Sequence, residues 1–204
     1  MRSPFSLRHG ARSMLLLDIL LLRPAPCRHA CESPRASLYI GAFLVVTGTL
    51  YGLLVAALQR SGAGMIQGIA VADIPAWALF GGNVLSGIVV TIMVHVGITF
   101  LAWLMARAIG GPGILAAIYR CTAYLLPLTW PALPQVARKT ALAGQQPVPL
   151  PYDVLYLPLA VAALSLFLIG LTNVYVVTQG KGVARAAFGA GLFALFTLSI
   201  LLVA

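Results

Sequence analysis

The chain has 204 residues, 61% of them hydrophobic and only 8% charged, with a mean hydropathy of +0.99. Soluble domains are about 45–50% apolar and about 25% charged, so a water-soluble globule is excluded and lipid is the expected solvent. The net charge of +9 does not point to nucleic acid: six of the 13 Lys and Arg precede the first run long enough to span a membrane, the rest are scattered, and no aromatic-interleaved basic platform occurs.

Residues Met1–Ser13 are basic and polar. The apolar run Met14–Leu22 that follows is too short to cross a bilayer. Asp18 in its middle and the Arg23-Pro24-Ala25-Pro26 sequence after it speak against a cleaved signal peptide. The pattern predicts a short interfacial helix lying flat beneath basic residues that meet anionic headgroups. Residues 1–37 are therefore read as a basic cytoplasmic tail and 38–204 as one membrane domain. Cys27, His29, Cys31 and Glu32 place four nominal metal ligands in six residues, with no second knuckle to complete a site. The reading is reduced thiols in a tail, with no metal and no cofactor.

Five apolar runs are long enough to span: Leu38–Leu58, Val84–Met105, Ile114–Leu133, Val154–Val177 and Val183–Val203. The expected fold is an all-α membrane protein of five transmembrane helices. In the first run, Gly48, Gly52 and Ala56 form a small-residue row suited to close helix packing within the chain. The second carries Asn83, Gly87, Thr91, His95, Thr99 and Trp103 at intervals of four, a polar stripe that must turn inward. His95 is read first as a neutral histidine bonded to a neighbouring helix and second as a ligand or proton site.

Gly110-Gly111-Pro112-Gly113 ends the second run, because glycine opens the backbone and proline removes a donor. Arg120 follows about 9 Å of helical rise later, close enough to snorkel to the headgroups. Tyr124 comes next, and Pro127, Pro131 and Pro134 are expected to kink or break this third run. Gln135–Tyr152 reads as an exposed irregular loop, so Arg120→Leu is expected to disturb folding or partner binding and Arg138→Leu is not. The last run is rich in alanine and glycine, a close-packing face. With the N-terminus in the cytoplasm, ten of the 13 basic residues lie inside and Arg60, Arg138 and Lys139 outside, which favours five crossings and an external C-terminus.

The order of Leu-Leu-Arg23-Pro24, the Gly110-Gly111-x-Gly113 turn, Arg120-x-x-Ala123-Tyr124-x-x-Pro127 and the Lys181/Arg185 turn resembles the Yip domain family. These are the Ypt/Rab-GTPase-interacting membrane proteins and their bacterial relatives. The resemblance implies five spans with a cytoplasmic N-terminus. The Asp-Leu-Tyr-Gly-Pro element of trafficking members is absent, and the Ala/Gly/Leu/Arg-rich composition is similar to that of a bacterial member, which implies the inner membrane. The function expected is non-enzymatic: scaffolding or binding of membrane components, the partner being another membrane protein or a second copy. The alternative is a small transporter or channel subunit with a polar cavity around His95 and Arg120. No H-E-x-x-H or G-x-S-x-G pattern occurs to support an intramembrane enzyme.

Overall fold

The computed structural model describes residues 15–62, 65–66, 68–141 and 151–203. The molecule is helical, as its composition requires. Among the described residues, three helices are long and apolar enough to cross a membrane: α3 (Ala36–Ser61), α4 (Ala76–Ala108) and the Tyr156–Gln179 part of α8 (Pro151–Gln179). The last helix, α9 (Val183–Val203), is apolar but shorter in its described part. A minimal hairpin, β1 (Met65–Ile66) against β2 (Ile69–Ala70), lies between α3 and α4. Arg60 at the end of α3 braces this connection, donating to the carbonyls of Val71 at 3.0 Å and Ile74 at 3.1 Å.

The expected small-residue row is the seam between α3 and α4, which run antiparallel. A Cβ on Gly48 would fall on the backbone of Ile88, one on Gly52 on the backbone of Asn83, and one on Gly87 on Gly48. The helices touch backbone to backbone, the geometry that small residues at i and i+4 permit in lipid. Asn83 closes the outer end of the seam, its side-chain amide donating to Gln59 at 3.0 Å.

The third apolar run is not one helix. It divides into α5 (Leu115–Ala123), α6 (Leu126–Thr129), a 3-10 turn at Trp130–Ala132 and α7 (Leu133–Ala141). Each expected proline sits in or beside the first turn of a new segment, where its missing N–H costs nothing. Around Tyr124 and Leu125 the backbone tightens to 3-10 bonding, Tyr124 N–H to Cys121 and Leu125 N–H to Thr122. The pieces climb along α3 in its own direction: Tyr124 packs against Phe43, Trp130 Nε1 donates to Thr47 Oγ1 at 2.9 Å, and Thr140 Oγ1 accepts from the Tyr51 hydroxyl at 2.9 Å.

One expectation fails here. Residues 135–141, read as loop, are helical, and Arg138 is 9% exposed, packed in α7 beside α3. The prolines and charges of this stretch suggested a loop, but its buried Ala137 and Ala141 seat against Val55 of α3. Residues 142–150 of that predicted loop lie outside the described ones. The N-terminal segment is helical and packs on the core. It forms α1 (Leu15–Leu20) and α2 (Ala25–Glu32), and Ile19, Cys27 and Ala30 join the same core as Phe43, Tyr124 and Leu171. The bend between them has Leu22 in the left-handed region, held by Asn173 of α8, whose amide donates to the Leu22 carbonyl at 2.8 Å. Asp18, the charge out of place in an apolar run, pairs with Arg23 at 2.9 Å.

Candidate functional site

The residues singled out from the sequence fall into three places. The first is the α4–α5 turn. Gly110 and Gly113 have φ of +76° and +59°, values that a side chain resists. The turn is bolted on both sides: Trp103 Nε1 donates to the Gly113 carbonyl at 2.7 Å, and the Gly113 N–H donates to Gln179 Oε1 at 2.8 Å. A Cβ on Gly111 would fall on that same Gln179 side chain. Arg107 lies over the Trp103 ring, 5.9 Å from its centre. The turn thus holds the ends of α4 and α8 together, a structural task that the glycine motif alone does not reveal.

The second place is the junction of α2 with α5. Tyr124 is fully buried, its hydroxyl 3.1 Å from His29 Nδ1, and its ring packs edge-on against Phe43 with Tyr39 alongside. Pro127 is buried just beyond it in α6. Cys121, one turn before Tyr124, faces Cys27 and Cys31 of α2. The tail cysteines are therefore not tail thiols but part of a helix–helix contact. Among the described residues, no group of three His, Cys, Asp or Glu is placed to hold a metal ion.

The third place is the polar stripe of α4. It faces inward as its spacing predicts: Gly87, His95 and Thr99 are buried, and Thr99 Oγ1 meets Thr122 Oγ1 of α5 at 3.2 Å. His95, 1% exposed, packs against the Tyr119 ring with centres 4.7 Å apart, and its Nε2 has no hydrogen-bond partner among the described residues. Arg120 is exposed and has no hydrogen bond or ion pair among the described residues. A cavity of about 330 Å3 between α4 and α5 is lined by Arg120, Tyr119, Thr99 and apolar neighbours. His95 does not line it, and Asn173 is engaged with Leu22 on another face. His95 stands behind Tyr119, the ring that separates it from the cavity Arg120 borders.

Comparison with known proteins finds no match: no family model fits the chain, and neither a curated protein nor a solved structure is similar to it. The Yip-type resemblance rests on its sequence motifs alone.

One site had no sequence signal of its own. A cavity of about 700 Å3 opens between α4, α8 and α9, with Thr129 and Ala132 of the third run behind it. Its buried lining is Ala163, Phe167 and Phe193, small side chains at Gly97, Ala132 and Ala160 border it, and large exposed ones such as Phe100, Leu164 and Phe196 surround it. A Cβ on Gly97 would meet nothing within 4 Å. The lining residues come from α4, α8, α9 and the broken third run, so no single stretch of sequence announces them.

Proposed function

We propose that this chain is a five-crossing membrane protein of Yip type, in a bacterial inner membrane with its N-terminus cytoplasmic, that binds another membrane protein without catalysing a reaction. The observation that carries the binding role is the groove between α4, α8 and α9. Among the described residues its polar lining is Thr129 and Thr197, so it suits an apolar occupant rather than a hydrated solute. Gly97, Ala132 and Ala160 in its lining would let the backbone of an apolar helix approach closely on that side, the main source of helix association in lipid. Such a helix, supplied by a partner protein, is the occupant that the groove's shape favours.

Five crossings are supported by the direction of packing. The pieces from Leu115 to Ala141 rise beside α3, and α8 then runs alongside α4, with the Tyr175 hydroxyl donating to the Ala102 carbonyl at 2.9 Å and Gln179 at the α4–α5 turn. The surplus of basic residues around the tail and the two turns on that side supports the cytoplasmic assignment.

The test is recovery of tagged protein from native membranes in mild detergent, followed by mass spectrometry. A stoichiometric partner that copurifies with the unaltered chain and is lost from Gly97→Leu, while the variant melts normally, supports the groove as its seat. A partner retained by Gly97→Leu moves the contact elsewhere. Solute flux in proteoliposomes that disappears in His95→Leu and Arg120→Leu would replace this reading with transport.

A further inference from the structure

We propose that Cys31 and Cys121 form a reversible dithiol–disulfide pair, a modification site that fastens the N-terminal helix pair covalently to the membrane core. The chain has three cysteines, and all three meet at the α2–α5 contact although 90 positions separate Cys31 from Cys121. The two Sγ atoms stand 3.4 Å apart, and the Cys121 thiol also lies 3.4 Å from the Cys27 carbonyl. A disulfide needs the sulfurs to close to about 2.05 Å. The Cys31 side of that closure lies on α2, an eight-residue helix whose Arg28 and Glu32 are exposed, and the Cys121 side on the buried face of α5.

Accessibility sets the order of events. Cys31 is half-buried on the helix that carries those exposed charges, whereas Cys121 is 0% and Cys27 3% exposed. The oxidant is a low-molecular-weight disulfide. The Cys31 thiolate attacks one of its sulfurs, the small S–S bond breaks, and one small thiol departs, taking up the proton that Cys31 gave up. The Cys121 thiolate then attacks Cys31 Sγ, breaks the mixed disulfide and releases the second small thiol with the second proton. Two protein thiols and one small disulfide become one protein disulfide and two small thiols. Exchange of this kind reverses when the surrounding thiol pool becomes reducing, and in a cytoplasm-facing site it would be a transient, redox-responsive bond. This pairing does not depend on what occupies the groove.

The test uses the full chain in mild detergent, incubated with oxidised glutathione, then denatured, alkylated and digested with trypsin. Cleavage after Arg28 and Arg120 places each cysteine on its own peptide. The expected product is the His29–Arg35 peptide joined to the peptide that begins at Cys121, separable with dithiothreitol, with Cys27 as the one remaining alkylated thiol. Cys27→Ser keeps the link, and Cys31→Ser keeps both of its remaining thiols alkylatable. Three alkylated cysteines after oxidation, a glutathione adduct that persists on Cys31, or a link from Cys27 to Cys121 would each overturn the assignment.

Discussion

Helix α4 presents two faces with opposite uses of glycine. Where it crosses α3, Gly87 meets Gly48 and Gly52 so closely that no Cβ fits, and the contact is made by backbone. Toward α8 and α9, Gly97 borders empty space, and the missing side chain leaves a groove open. The same residue type on one apolar helix closes one interface and keeps another unfilled. Smallness in a membrane helix therefore states only that room is needed, and the neighbouring elements decide whether backbone or a partner takes it.

Filling each face in turn separates them. Gly52→Leu carries the largest expected effect: it must force α3 off the Asn83 backbone, a cost of about 3 kcal/mol or more, read as a collapse of the thermal transition in detergent. A normal transition for Gly52→Leu would erase the contrast. Next comes the third run, whose two arginines should behave in reverse of their sequence-based ranking. Arg138→Leu removes a buried charge-bearing side chain with its interactions and should cost about 2 kcal/mol in denaturant or thermal unfolding. Arg120→Leu, an exposed position, should leave the melting temperature unchanged. Tyr175→Phe removes the buried hydrogen bond from α8 to the Ala102 carbonyl and should cost about 1 kcal/mol, sharpening how firmly the α8 side of α4 is held. Gly97→Leu should leave stability within about 1 kcal/mol, because a better helix former enters free space. Its effect should appear in partner recovery alone.

The elements most readable from sequence were those with continuous or periodic signals. Hydropathy located α3, α4 and α8, the spacing of Gly48 and Gly52 marked a packing seam, and the stripe through His95 and Thr99 turned inward as its period required. The prolines marked the breaks in the third run. What escaped depended on partners remote in the chain. Nothing local to Met14–Leu22 tells that Asn173 will hold the Leu22 carbonyl, so the segment reads as a surface helix. The cluster around Cys27 and Cys31 is uninformative without Cys121, and Gln179 looks like an ordinary polar helix end until the Gly113 N–H is brought to it. Helix α7 was hidden because short-range rules weigh its prolines and charges, whereas its stability comes from the face laid on α3.

The reliance of α1 and α2 on α8 has a consequence in time. A ribosome releases the N-terminal helices first, yet their bend is tied to Asn173, 151 positions later, and the α4–α5 turn waits for Gln179, 66 positions beyond Gly113. Helices α1 and α2, made before α8, are thus fully seated only after it. Until α8 is inserted, Ile19 and Cys27 have only part of their eventual cover, and a nascent chain paused before Asn173 would offer α1 and α2 to whatever insertion factor or chaperone stands at the membrane surface.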